Sequence, residues 1–286
     1  MPGMPTPERI PGATSGWVDG APLAFRALAV RGVRLCRVAI GFAYFGVGIW
    51  LLGSVVLPLV TLPARLRGLP ADAVSRRAQR VAHYFFRSFV AWMEHVVRVG
   101  DVEWVGEQAL ARGNLLIVAN HPSLIDTPLL AAKLPQADFI VGPEWMRNGF
   151  MRRAIEAAGY LHAADGADVV RQAVERLRAG RTVVVYPEGS RTPAGGLRPF
   201  QRGAAHIALA AGCDILPVLL HVTPRVLMKG QPWTSYPSEN PVWRIEVGGP
   251  IRPPAGGGSE GRPLAARRLT RVLEDHFGER WQRGRS

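Results

Sequence analysis

The segment Asn120-His121-Pro122-Ser123-Leu124-Ile125-Asp126 holds an imidazole and a carboxylate five positions apart. It follows the apolar run LLIVA at 115–119, which reads as a strand. At the carboxyl end of a strand, that spacing lets His121 and Asp126 meet across a tight turn. The carboxylate would accept the Nδ1–H, fix the tautomer and raise the basicity of Nε2, giving a general base for a hydroxyl nucleophile. Alone, the spacing is a weak signal, because a lone histidine is more often structural than catalytic.

A second cluster comes after another apolar run, TVVVY at 182–186, and reads Pro187-Glu188-Gly189-Ser190-Arg191-Thr192. Gly189 lets the backbone come close to a ligand. Arg191 offers a planar fork suited to phosphate. The hydroxyls of Ser190 and Thr192 add donors. Glu188 suits an anion site only if it orients the Arg or a helix end. No phosphate-loop sequence is present, and no Gly-x-Gly-x-x-Gly succeeds a strand, so nucleotide-binding folds are excluded.

From Asp101 onward the pattern alternates strands with helices. Strands are expected at 101–105, 115–119, 138–142, 160–162, 182–186, 215–222 and 243–249, and helices at 125–134, 146–158, 166–179, 202–211 and 263–282. Gly180 is a good helix stop. This alternation predicts an α/β domain over 100–286, with a mainly parallel mixed sheet flanked by helices. Residues 253–262 form a flexible link, and 223–241 are irregular, suited to a packed loop or to Leu227, Met228, Trp233 and Tyr236 dipping into a membrane interface near Lys229.

The first hundred residues differ. Residues 1–25 are rich in Pro, Gly and Thr and are expected to be disordered. Residues 26–99 form a membrane-associated helical region. Within it, 38–62 carry no charge; as a helix they would be roughly 38 Å long against roughly 30 Å of hydrocarbon. Arginines flank the run on both sides, so the positive-inside rule sets no orientation, and both full span and half insertion remain open. Residues 72–99 read as one long helix whose apolar surface is interrupted by Arg76, Arg77, Arg80 and Arg87, suited either to a membrane interface or to packing on the next domain.

Composition agrees. The 286 residues carry a net charge of +13 and are 48% hydrophobic, so the chain folds and seeks anionic partners. Nucleic acid would need a basic helix or aromatic platform apart from the membrane-like segment, and none stands clear, so no nucleic acid is expected. Cys36 and Cys213, the only cysteines, form no disulfide framework and no zinc-like spacing, which fits a reducing compartment.

The two motifs together resemble the glycerolipid acyltransferases, the lysophosphatidic acid acyltransferase-like family. NHPSLID is similar to the N-H-x-x-x-x-D motif and YPEGSRT to F-P-E-G-[ST]-R. Phe200 to Ala205 and the strand with Pro217 resemble the family's downstream segment, and the match covers roughly residues 100–250. The resemblance implies a membrane-bound O-acyltransferase at the cytoplasmic face of a bacterial inner membrane. Acyl-CoA or acyl carrier protein would be the donor and a lysophospholipid-like lipid the acceptor. His121 would be the base and Asp126 its orienter. Glu188, Gly189, Ser190, Arg191, Gly159 and Arg202 would shape the acceptor site, with Arg191 facing a phosphate. It implies no metal, no cofactor beyond the thioester co-substrate and no covalent acyl-enzyme. Nothing in the sequence sets an oligomeric state. The second family motif ends in an Arg; here Gly159-Tyr160-Leu161-His162-Ala163-Ala164-Asp165 sets Asp165 in that place. A carboxylate there removes attraction for phosphate and adds repulsion. An acceptor without a phosphate monoester, of polyene or aminolipid type, is one alternative; a non-catalytic lipid-binding protein of the same fold is another.

Overall fold

The computed structural model describes residues 20–254 and 261–283. The proposed disorder of 1–25 lies outside the described residues up to position 19, and most of the 253–262 link also lies outside them. Residues 20–25 are helical: a continuous helical run begins earlier than expected, with α1 (Gly20–Leu51), a π turn (Leu52–Val56) and α2 (Leu57–Leu66). Pro58 cannot donate a backbone hydrogen bond, and the wider turn before it accommodates that loss without ending the helix. Gly53 within that turn permits close approach of the chain near position 154, where a Cβ would stand 3.0 Å from Ala154 N.

Helix α3 (Ala71–Ala91) closes with a second π turn, Trp92–Val96, so the expected single helix over 72–99 stops earlier. Its buried face includes Val74, Ala78, Ala82, Phe86 and Phe89, while Arg77, Arg80, Tyr84 and Arg87 are exposed or half-buried on the other side. It packs along α4 (Asp126–Lys133) of the α/β part, and His83 Nδ1 lies 2.9 Å from Ala131 O. One face is therefore packed and the other is basic.

The sheet has seven strands: β1 (Asp101–Val105), β2 (Leu116–Ala119), β3 (Asp138–Val141), β4 (Leu161–His162), β5 (Val183–Val185), β6 (Ile215–Thr223) and β7 (Val242–Val247). Their spatial order is β1-β7-β6-β2-β5-β3-β4. The five from β6 to β4 run parallel, and β7 is antiparallel to β6 with β1 parallel to β7. Strands β2 and β5 are buried throughout, which is why they read as unbroken apolar runs instead of alternating ones. Helices α5 (Pro143–Arg147) and α6 (Gly149–Ala158) divide the expected helix over 146–158. Helices α7 (Ala167–Arg178), α8 (Gly203–Ala211) and α9 (Arg262–Arg283) cover one face of the sheet. Residues of α1, α3 and α4 join the core on the other face.

Strand β2 lies at the switch in strand order, since the chain proceeds from it to β3 on one side and has β6 on the other. In open α/β sheets, ligands bind outside the carboxyl ends of strands at such a point.

Candidate active site

Both chemistry-bearing segments leave the carboxyl ends of paired strands, β2 and β5, whose register sets Val118 beside Val185. Carried three residues further, that register brings His121 beside Glu188, and His121 N donates to Glu188 Oε1 at 3.1 Å. Asn120 anchors the turn. Its side chain accepts from Leu220 N at 2.7 Å and donates to Leu220 O at 2.9 Å, continuing the β2–β6 ladder where β2 has ended.

His121 Nδ1 lies 2.7 Å from Asp126 Oδ2, and the carboxylate is fully buried at the first turn of α4. Asp126 also accepts from Ser123 N at 2.7 Å and from Ser123 Oγ at 2.5 Å. Ser123 Oγ in turn accepts from Trp243 Nε1 at 3.0 Å, which ties the turn to β7. With Asp126 fixed as acceptor, Nδ1 carries the proton and Nε2 is the basic nitrogen. The Tyr186 ring stacks on the imidazole, centroids 4.5 Å apart, and Thr127 Oγ1 donates to Tyr186 Oη at 3.0 Å. Burial pushes the Tyr186 phenol well above its ordinary range, so it stays neutral.

Glu188 touches the backbone of both motifs. It accepts from His121 N, from Arg198 N at 3.0 Å and from the Thr192 hydroxyl. Thr192 N donates to His121 O at 2.6 Å. Glu188 therefore clamps the backbone of one motif to the other, and burial raises its pKa in spite of those donors. Gly189 has φ +64°, and a Cβ there would stand 2.5 Å from Gln201 Nε2. Arg191 is half-buried and donates from Nη1 to Leu227 O at 2.9 Å. Ser190 Oγ accepts from Lys229 Nζ at 2.9 Å. Arg202 is exposed at the start of α8. Gly159 ends α6 with φ +66° and faces Ser75 of α3, and it is not among the residues that line the cavity at His121. The Asp165 side chain lies outside what the structure describes.

That cavity measures about 380 Å³, within the range of small-molecule sites. His121 and Thr127 lie on its wall, and apolar side chains supply most of the rest. Val38, Phe42, Phe45 and Ile49 of α1 and Phe86 and Phe89 of α3 line it, so the N-terminal helices build part of the site. So do Leu227 and Tyr236 of the irregular segment, both buried. Sequence reasoning missed Ser123, Tyr186 and Trp243. Only their places within or beside the motifs and the apolar strand carried any signal. Among the described residues, no group of acidic, His or Cys side chains could hold a metal ion.

Comparison with known proteins fits this geometry. The family described as Acyltransferase matches residues 101–221. A lyso-ornithine lipid O-acyltransferase of Pseudomonas aeruginosa is 34% identical over 182 residues, 59% of this chain and 65% of that protein. A 1-acyl-sn-glycerol-3-phosphate acyltransferase of Borreliella burgdorferi is 28% identical over 127 residues, 41% of this chain and 50% of that protein. Residues 101–221 thus carry an acyltransferase domain, and the chain is similar to these enzymes around it. It spans between 50% and 65% of the length of these two relatives. For the fold, the crystal structure of the 1-acyl-sn-glycerophosphate acyltransferase of Thermotoga maritima superposes with a TM-score of 0.61 at 23% identity, over 85% of this chain and 96% of that one. The acyltransferase fold thus extends beyond the matched domain into the N-terminal helices.

Proposed function

We propose that the protein is a membrane-bound O-acyltransferase that moves a fatty acyl group from a thioester donor to the hydroxyl of a lysophospholipid-like acceptor. The observation that carries this reading is the His121–Asp126 pair, 2.7 Å apart, opening on an apolar cavity of about 380 Å³. Nε2 of His121 takes the acceptor's hydroxyl proton as the oxygen attacks the thioester carbonyl. The tetrahedral intermediate collapses and expels the thiolate, which recovers the proton from the imidazolium, leaving an ester and a free thiol. Asp126 holds the tautomer and stabilises the imidazolium. The acyl chain lies in the apolar cavity. Acyl-CoA or acyl carrier protein serves as donor at the cytoplasmic face of a bacterial inner membrane.

His121→Ala should lower acyl transfer by roughly 10²–10⁴-fold with vesicle binding unchanged. Transfer at the wild-type rate would defeat the mechanism, and a wild type that turns over no thioester would favour a non-catalytic lipid-binding role. A second reading of the acceptor, an aminolipid without a phosphate monoester, rests on Asp165 in the place of the second-motif Arg and on the P. aeruginosa relative. Lipid mass spectrometry of a deletion strain, restored with wild type or His121→Ala, separates the two acceptors.

A further inference from the structure

The segment between β6 and β7 carries Lys229, one of two lysines in the chain. It occupies a tight turn. Gln231 N donates to Met228 O at 3.1 Å, and Gly230, the third residue of the turn, has φ +79°, the left-handed conformation a glycine adopts there without strain. Gln231 Oε1 accepts from Met228 N at 3.1 Å and closes the turn a second time. Just before it, Leu227 holds φ +57°, uncommon for a residue with a side chain. Its carbonyl accepts from Leu124 N at 3.1 Å and from Arg191 Nη1 at 2.9 Å. One carbonyl thus ties the turn to both motif segments.

The turn thus carries one cation, Lys229, and pins another, Arg191, through the Leu227 carbonyl two residues before Lys229. Lys229 Nζ reaches Ser190 Oγ at 2.9 Å, and Arg191 is the next residue. Among the described residues, the other N–H groups of Lys229 and of the Arg191 guanidinium have no protein partner. Neither nearby acid hydrogen-bonds these cations: Glu188 accepts from backbone N–H groups and Thr192, and Asp126 pairs with His121 and Ser123. Meanwhile the position expected to supply a second Arg holds Asp165.

We propose that Lys229, outside both motifs, is the second cation of an anionic-headgroup site and acts with Arg191, tied to the same turn, to hold the phosphate or carboxylate of the acceptor lipid. This rests on the acyltransferase reading. The acceptor is favoured over the donor on reach. Ser190 and Arg191 come directly after Glu188 and Gly189, and the Glu188 carboxylate touches the His121 backbone. The acceptor's hydroxyl and headgroup belong to one small polar unit, so a hydroxyl at His121 sets its headgroup nearby. The anionic groups of a thioester carrier are separated from the thioester by a long pantetheine arm.

The test compares wild type, Lys229→Met and Lys229→Arg as full-length protein, with one thioester donor and three acceptors. These are a lysophosphatidate, a lyso-aminoacyl lipid with a carboxylate and no phosphate, and a monoacylglycerol. Lys229→Met should raise KM about tenfold for whichever anionic acceptor is used, much less for the monoacylglycerol, with the donor KM unmoved. Lys229→Arg should recover most of the loss. The anionic acceptor that responds identifies the headgroup. A rise in donor KM alone, or an equal effect on charged and neutral acceptors, overturns the assignment. Calorimetric binding of the same three lipids gives a readout without turnover. If wild type transfers nothing yet binds an anionic lipid about tenfold better than Lys229→Met does, the headgroup site stands and the acyltransferase reading falls. Equal binding by the two proteins overturns the site.

Discussion

The His121 imidazole is held from three directions: Asp126 at Nδ1, the stacked ring of Tyr186, and Glu188 on its backbone N–H. Two of these can be separated by substitution. Asp126→Asn can present an N–H to Nδ1, which forces the proton onto Nε2 and removes the base. The expected outcome is a fall in kcat of roughly 10²–10⁴-fold with acceptor KM little changed; a fall below tenfold in steady-state assays would remove Asp126 from the mechanism. Glu188 makes a different prediction. Burial lifts its carboxyl above the ordinary value near 4.5. A group whose folded pKa is raised contributes stability that is complete below the unfolded pKa and is lost as pH rises through the folded one. Glu188→Gln should therefore flatten the pH dependence of Tm over that window, with wild type losing ground as pH rises through it. Thermal unfolding at a series of pH values checks this, and a steeper slope in the variant would contradict it.

Between elements, the join of the N-terminal helices to the sheet is ionic at its core. Arg181, just before β5, donates from Nε and Nη2 to the two oxygens of Asp138 in β3, both at 2.6 Å. Gln79 of α3 donates to the same carboxylate at 2.9 Å, and Arg181 also pairs with Asp72 of α3. Asp138 is fully buried. Arg181→Met strips the pair and leaves a buried carboxylate, which should cost about 3–5 kcal/mol of stability; chemical denaturation measures it, and adding Asp138→Leu should recover much of the loss. This join was not legible in the sequence, because residues 72, 79, 138 and 181 have no mutual spacing and meet only through the β3–β5 pairing and the packing of α3 beside it. What was legible was local. The strands at 115–119 and 182–186 are continuous apolar runs, and the His121–Asp126 turn is set by five residues of chain. The cavity wall was not legible for the same reason as the ion pair: Phe42, Phe45, Phe86 and Phe89 read as membrane or packing residues until α1 and α3 lie across the site. Glu188 looked out of place in an anion site because its partners, the amides of His121 and Arg198, are backbone groups that no residue pattern reveals.

For the whole molecule, the helical run bears on how the proposed membrane-bound enzyme would meet a bilayer. Among the described residues, Leu28–Leu66 is the one stretch long and apolar enough to cross a membrane. Yet its buried positions, among them Val38, Ile49, Leu52, Leu57 and Ala64, recur from residue 38 to 64, and its middle lines the cavity beside His121. A spanning helix needs about 20 residues surrounded by lipid, whereas this run packs along α3 and α6 on one side. The opposite face, with Val47, Trp50, Leu59 and Leu62, is exposed and apolar, and arginines 31, 34, 37, 65 and 67 stand at the two ends. We propose from this distribution that the helix lies within one leaflet, with its basic ends at the headgroups of the same side. On that reading the apolar cavity would lie close to the acyl chains of the bilayer. The prediction is topological. With Cys213 replaced by Ser, the exposed Cys36 and a cysteine at Arg67 in separate variants should both react with a membrane-impermeant maleimide from the cytoplasmic side, in inverted vesicles and not in right-side-out ones. If one of them reacts only from the opposite side, the run spans the membrane, and the cavity beside His121 would have to open within the bilayer instead of at its surface.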